Sequence, residues 1–296
     1  MIPPAFDYAS PKTLSEAVSL LSQNSGSKVL AGGHSLIPMM KFRLASPPLL
    51  VDINRLEGLS YIREADGWLK IGAMTREVDL ERSSLVHERY SLLADTTRQV
   101  ADPIVRQLAT VGGNLAHGDP ANDHPATMLA YGARVLAVGP NGERTIPCAQ
   151  FFTDLFETAL AHDEILTEIQ IPIPAAHSGG AYFKLERKVG DYGTVGVAAQ
   201  LTLDAAGKIS YAGLGLTNVG LVPVKATEAE AALRGQTPDG DTLRIAGGLA
   251  AAAAQPNGDA RGTEAYKRSM IKTLTVRALR SAVARASGDT NGGGQA

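Results

Sequence analysis

The chain has 296 residues, a formal net charge of −2, 44% hydrophobic and 20% charged residues, a globular balance with ample material for a core. Its lysines and arginines are scattered rather than striped, which argues against a nucleic-acid surface, and no apolar run approaches the ~20 residues of a membrane span. Cys148 is the single cysteine, so no internal disulfide and no cysteine-ligated iron–sulfur cluster can form within the chain; with no leader visible after Met1, a cytoplasmic protein is expected.

The first unit spans residues 1–55. Thr13-Leu14-Ser15-Glu16 fits a capping box, with Thr13 as N-cap and Glu16 reaching back. Leu14, Ala17, Val18 and Leu21 then recur on one helical face. The strand-like run Lys28-Val29-Leu30 leads into the double-glycine loop Ala31-Gly32-Gly33-His34-Ser35. Adjacent glycines remove two Cβ atoms, so successive main-chain N–H groups can converge on one anion. A helix is predicted over 36–44 and a strand over 49–53. A unit of this size is marginal alone, so it is expected to lean on the next.

The second unit spans 56–176. Asp66-Gly67 marks a hairpin between 61–63 and 68–71, and helices are predicted over 76–82 and 91–99. A second glycine pair follows in Thr110-Val111-Gly112-Gly113-Asn114. Two such loops converging can hold the two phosphates of a dinucleotide. The stretch from His117 to His124 contains metal-ligand residue types. No cysteine and no helical i, i+4 histidine pair accompanies them, and Asn, Asp, Gly and Pro are ordinary loop chemistry. No metal site is assigned; a polar loop with Asp119, Asn122 and Asp123 free to bond a ligand's hydroxyl groups is the better reading. A hairpin is expected over 134–147. Residues 165–171 alternate with period two, as a half-buried strand should. Ser178-Gly179-Gly180 reads as a linker.

The third unit spans 177–287. Strands over 182–187, 195–203 and 209–217 precede helices over 226–233, 242–254 and 264–286. The last helix carries Tyr266, Met270, Leu274 and Val283 near one face. The pattern is an α+β unit with a three-stranded antiparallel sheet and a helical layer. Gly213-Leu214-Gly215 opens an apparent dinucleotide fingerprint, but Asn218 holds the sixth position and the surroundings look β, so small residues in a packed strand explain it better. His34 is either satisfied by nearby backbone or turned toward a ligand. Tyr192, on the turn Gly190-Asp191-Tyr192-Gly193, either packs at the surface or stacks on a ring; Lys184 is by default solvated. The tail 288–296 is too polar and glycine-rich to pack and is expected to be disordered. There is no phosphate-loop lysine motif and no nucleophile elbow, and Cys148 has no activating neighbours, so no catalytic residue is assigned.

Together, Ala31-Gly32-Gly33-His34-Ser35-Leu36-Ile37-Pro38, Lys41-Phe42-Arg43-Leu44-Ala45, Thr110-Val111-Gly112-Gly113-Asn114 and Lys188-Val189-Gly190-Asp191-Tyr192 carry a resemblance over nearly the whole chain. The chain resembles the FAD-binding medium subunits of molybdenum hydroxylases in the xanthine dehydrogenase family, nearest to those of aerobic carbon monoxide dehydrogenases. The resemblance implies an α+β, PCMH-type FAD-binding fold. FAD would lie in a cleft between the two α/β subdomains, covered by the C-terminal α+β domain. Lys28, Val29, Leu30, Ala31, Gly32, Gly33, His34, Ser35 and Leu36 would wrap the adenine-side phosphate and pyrophosphate. Thr110, Gly113 and Asn114 would complete that site. Ala101 lies in the stretch lining the flavin. Asp123 would bond toward the ribityl or ribose, with Asp119 and Asn122 as further candidates. Leu166 and Lys184 match positions lining the isoalloxazine, and Tyr192, beside Asp191, matches a tyrosine lying over a flavin face.

The implied function is FAD-carrying electron transfer within a heterotrimer, itself paired as a dimer of heterotrimers. A large partner subunit would carry molybdenum on molybdopterin cytosine dinucleotide, and a small one two [2Fe-2S] clusters. Electrons from the clusters would leave through a quinone, with the cytoplasmic complex associated with the inner membrane face. Alternatives are the flavin subunit of an N-heterocycle or aldehyde hydroxylase, a single-chain flavin oxidase, and a nucleotide-binding scaffold without redox chemistry.

Overall fold

The computed structural model describes residues 2–288. The first unit is a parallel three-stranded sheet with Leu49–Asp52 between Asp7–Ala9 and Lys28–Leu30. Helix Leu14–Gln23 covers it. Thr13 Oγ1 accepts the Glu16 N–H at 3.1 Å, while the Glu16 carboxylate accepts from Lys12 N–H at 2.8 Å, one residue before the position a reciprocal box requires. Ala17, Val18 and Leu21 are buried and share one core with Val51 and Ile53, and with Leu59, Met74 and Ile165 of the second unit. The first unit thus has no core of its own. The helix after the first glycine loop is Leu36–Lys41, shorter than the span predicted, because Arg43 takes a left-handed conformation (φ 61°) just beyond its end.

The second unit is a five-stranded antiparallel sheet in the order Ile62–Ala65, Trp68–Gly72, Ile165–Pro172, Arg134–Gly139, Gly142–Pro147. Strand Ile165–Pro172 is central and buried on both faces, not half-buried as its alternation suggested. Its polar residues pair with one another instead of with water. Glu168 accepts from the Tyr61 hydroxyl at 2.5 Å and from Gln170, and Gln170 accepts from Arg134 Nε at 2.6 Å.

The third unit is an antiparallel sheet of Ser178–Leu185, Val195–Leu203 and Ile209–Thr217, joined at its edge by the short Val224–Lys225. Helices Thr227–Leu233, Gly240–Ala253 and Glu264–Ala286 belong to it. Ser178-Gly179-Gly180 begins the first strand rather than forming a linker. A Cβ at Gly179 would strike the Ala282 carbonyl, so the glycine marks where helix Glu264–Ala286 lies flat on the strand. That helix buries Ile271, Leu274, Ala278, Leu279 and Ala282, a face rotated from the one predicted, and leaves Tyr266 44% exposed. The rotation follows Lys267, which is buried because its ammonium bonds Asn257 O at 2.9 Å and Asp259 at 2.8 Å.

Helix Asp123–Tyr131 joins the second and third units, and all of its residues are buried. It crosses strand Ile209–Thr217 so closely that Cβ atoms at Gly213 and Gly215 would collide with the Ala130 and Ala126 carbonyls. The apparent fingerprint is therefore a packing surface. Residues 289–296, where a disordered tail was expected, lie outside the described residues. Among the described residues no helix is long and apolar enough to cross a membrane.

Candidate functional site

A cleft of about 790 Å³ opens where the three units meet, within the ~300–1,000 Å³ range of small-molecule and cofactor sites. One wall is the first glycine loop. A Cβ at Gly32 would lie 2.5 Å from Leu108 O and 2.8 Å from Ala109 Cα, so glycine lets this loop press against the segment entering the second. Gly33 supplies the positive φ of 76° that turns the chain toward helix Leu36–Lys41. The main-chain N–H groups of Gly32, Gly33, His34 and Ser35 make no hydrogen bond among the described residues. His34 Nδ1 lies 2.8 Å from Gly32 O, so it donates to nearby backbone and leaves Nε2 available.

The second loop works differently from the sequence reading. Thr110 caps helix Val111–Ala116, accepting the Gly113 N–H at 3.2 Å. Val111 N–H donates to Thr75 O, Gly112 N–H to Ala73 O and Asn114 N–H to Thr110 O, at 3.0–3.1 Å. These donors are spent on the fold, so an open run of N–H groups exists at the first loop and not at the second. Gly112 is a packing glycine, since its Cβ would lie 2.5 Å from that of Ala73. The second loop offers Asn114 instead, whose Oδ1 is buried without a partner while the residue lines the cleft. Ser27, absent from the sequence reading, also lines it with a buried, unpartnered hydroxyl. A serine before a strand carries no signal that could have found it.

Of the residues predicted, Lys28, Val29, Ala31, Gly32, Gly33, His34, Ser35 and Leu36 line the cleft from the first unit. Ala101, Thr110, Gly113, Asn114, Asn122, Asp123 and Leu166 line it from the second, and Asp191 and Tyr192 from the third. Leu30, Asp119 and Lys184 are not part of the lining. Asp119 holds a turn, accepting the Ala121 N–H at 2.8 Å. The Lys184 side chain is 1% exposed and ion-paired rather than solvated.

Asp123 is buried, and both its oxygens are engaged. Oδ1 accepts from the Tyr182 hydroxyl at 2.6 Å, and Oδ2 lies 3.1 Å from Lys184 Nζ. Burial pushes its carboxyl above the ordinary range, and the Lys184 charge opposes that shift only in part. Burial, followed by the Asp123 charge, holds the Tyr182 phenol well above its ordinary value. Asp123 is therefore first a bridge between the second and third units.

Ala101 adopts a left-handed φ of 49°, strained for a residue with a Cβ. Arg106 holds it there. Its Nη1 donates to the Val100 and Ala101 carbonyls at 2.9 and 3.0 Å, while Nε pairs with Glu81 at 2.8 Å. Phe156, also left-handed (φ 59°), lines the cleft too, with its ring 5.2 Å from that of His117. A phenylalanine at a hairpin turn has no glycine to announce it, so this part of the lining was not anticipated. Tyr192 is 45% exposed at the cleft, and burial of its remainder raises its phenol above the ordinary range.

Chemically, the cleft offers an anion cradle, amide and hydroxyl acceptors and aromatic edges. That inventory suits a phosphate-bearing ligand with a planar ring. Cys148 lies outside it, and burial pushes its thiol up to about 12.

Residues 4–174 match the family described as the FAD binding domain in molybdopterin dehydrogenase, and residues 180–282 the CO dehydrogenase flavoprotein C-terminal domain. The chain is 43% identical over 286 residues to the carbon monoxide dehydrogenase medium chain of Hydrogenophaga pseudoflava, covering 96% of this chain and 99% of that one. It is 42% identical over 287 residues to the corresponding chain of Afipia carboxidovorans, covering 97% and 99%. It superposes with a TM-score of 0.94 on a solved structure of carbon monoxide dehydrogenase from Hydrogenophaga pseudoflava lacking the Mo-pyranopterin moiety of its molybdenum cofactor, at 46% identity over 96% of this chain and 99% of that one.

Proposed function

The chain belongs to the FAD-binding subunits of the molybdopterin dehydrogenases, and from that premise we propose that it is the flavin-carrying electron-transfer subunit of a molybdenum-dependent carbon monoxide dehydrogenase. The observation that carries this reading is the open run of N–H groups from Gly32 to Ser35 along one wall of a cleft lined by all three units. Those donors would hold the FAD diphosphate. Asn114 Oδ1 and Ser27 Oγ, buried without partners, are acceptors that a bound ligand would satisfy. Tyr192 would lie against the flavin ring, and Ala101 and Leu166 would border it. When bound, FAD supplies a reversible electron store between the iron–sulfur clusters of a small subunit and a quinone-type acceptor.

Substrate oxidation then belongs to a large partner subunit carrying molybdenum on molybdopterin cytosine dinucleotide. This chain's residues bind, orient and shield. The complex would be a dimer of heterotrimers in the cytoplasm, meeting the membrane through its other parts.

The test uses the native complex that co-purifies with this chain. Its flavin is quantified on cofactor released by denaturation, the flavin component of its absorbance is resolved from the iron–sulfur bands without oxygen, and carbon monoxide is added. Bleaching supports both the cofactor and the substrate. A band that dithionite bleaches and carbon monoxide does not keeps the FAD role and redirects the substrate search to N-heterocycles and aldehydes. A complex that releases no flavin on denaturation and cannot be reconstituted with FAD overturns the reading.

A further inference from the structure

The Lys184 ammonium points at protein rather than at the cleft. Nζ donates to Gln99 O at 2.6 Å, Asp123 Oδ2 at 3.1 Å and Asp191 O at 3.2 Å. Glu186 Oε2 lies 3.3 Å away, within ion-pair reach but off the hydrogen-bonding direction. An ammonium has three N–H donors, and these three acceptors occupy them all. Each acceptor belongs to a different strip of cleft wall. Gln99 precedes Val100 and Ala101, Asp123 lines the cleft itself, and Asp191 carries Tyr192.

The turn holding Tyr192 is shaped around this lysine. A Cβ at Gly193 would lie 3.0 Å from Lys184 Cγ and 3.1 Å from Cδ, so glycine there lets the lysine stem pass beneath the turn. A Cβ at Gly190 would lie 3.1 Å from Ala101 O, so the turn also rests on the left-handed residue of the neighbouring strip. Asn218 Nδ2 donates to Gly193 O at 2.8 Å and Arg261 to Asp191 Oδ1 at 3.2 Å, closing the outer side.

We propose that Lys184 is a positioning residue that fixes the Tyr192 turn, the Val100–Ala101 strip and Asp123 relative to one another before the flavin arrives. The benefit to FAD rests on the reading of the cleft given above. The tie is a property of the chain without ligand. A wall ordered in advance loses less freedom on binding, which appears as tighter retention of the cofactor.

The experiment compares the full-length chain with Lys184→Met, first without FAD, by amide hydrogen exchange. Loss of charge-assisted bonds is expected to speed exchange at residues 99–101 and 190–193 by about tenfold or more. Strands Val195–Leu203 and Ile209–Thr217 should keep their protection. FAD titrations of the parent, Lys184→Met, Tyr192→Ala and the double variant follow. A lysine acting through the turn gives losses of affinity that are less than additive with Tyr192→Ala. Unchanged exchange together with additive losses means that Lys184 bonds the flavin directly, and overturns the proposal. If Lys184→Met does not accumulate because Asp123 is left unpaired, Lys184→Met with Asp123→Asn removes both charges and supports the same exchange test. A parent chain that binds no FAD would sink the reading of the cleft, while the exchange comparison would still decide what the lysine holds.

Discussion

His124 and Glu77 face each other in the core, with Nε2 and Oε2 2.8 Å apart and both side chains fully buried. The pair ties the first residue of helix Glu77–Arg82 to the first turn of helix Asp123–Tyr131, on either side of the second glycine loop. Burial alone would drive the imidazolium to lose its proton. The Glu77 charge and hydrogen bond, together with the Asp123 charge, outweigh burial, and the net direction is upward from 6.5. A raised folded-state value means that the pair's contribution is fully present below 6.5 and is lost as pH climbs through the folded value. Glu77→Gln should therefore destabilise the chain most in acid, by about 3–5 kcal/mol, the usual cost of stranding one member of a buried pair. Urea midpoints of parent and variant across pH check this. A gap that widens toward alkaline pH would contradict the assignment.

The two glycines of the second loop should fail in different ways. At Gly112 an added Cβ meets Ala73 Cβ at 2.5 Å and Ala73 Cα at 2.8 Å, inside the core. Gly112→Ala is expected to cost about 1–3 kcal/mol of stability, as overpacking does. At Gly113 the contact is with Thr110 Oγ1 at 2.7 Å, beside the cleft. Gly113→Val should leave a folded protein that purifies without FAD, because the branched side chain dislodges the cap and enters ligand space. The flavin-to-protein absorbance ratio and the melting temperature separate the two effects. Full flavin occupancy in Gly113→Val would remove this loop from the site.

The same contrast shows what the sequence could and could not convey. The glycine loops were legible because two such pairs recur, each after apolar residues and before Ser or Asn, where a single pair is usually a turn, and they locate the cleft. Their hydrogen bonding was not legible. Whether a loop N–H is free depends on distant carbonyls such as Thr75 O and Ala73 O, which satisfy Val111 and Gly112. The amphipathic helices were legible through periodicity, but Asp123–Tyr131, buried all round and so without a polar face, was not; nor was the buried face of Glu264–Ala286, because Lys267 finds its partners on a loop that composition does not place. Alternation in 165–171 looks the same whether polar residues meet water or each other, and only the sheet order decides. Gly179 read as a linker for want of the helix that presses on it. Glu77, far in sequence from His124, gave no sign of its partner.

Asp123 should behave as a joint before it behaves as a ligand. Its oxygens hold Tyr182 at 2.6 Å and Lys184 at 3.1 Å, both from strand Ser178–Leu185 of the third unit. Asp123→Ala strands a buried ammonium and a buried phenol, so a loss of about 3–5 kcal/mol is expected. FAD affinity should fall with it, as the Lys184 tie loosens. Denaturant unfolding and FAD titration on the same preparation test both parts. Weakened FAD binding with unchanged stability would return Asp123 to the role of a simple ligand contact.

Tyr192 should have the opposite profile. Its ring is nearly half exposed, its phenol has no hydrogen bond among the described residues, and its main chain is held by Asp191 and Asn218 through neighbouring groups. Truncating the side chain removes little from the fold, and surface substitutions of this kind stay within about 0.5 kcal/mol. The diphosphate would still be gripped at the first glycine loop, so Tyr192→Ala is expected to keep FAD through purification, at a weaker affinity. What changes is the environment of the ring. Without an aromatic neighbour the bound flavin should fluoresce more strongly and react at a different rate with oxygen or with a quinone acceptor. Steady-state fluorescence of the loaded variant and stopped-flow reoxidation measure these directly. Parent-like values in both would show that Tyr192 only borders the cleft and does not lie against the flavin.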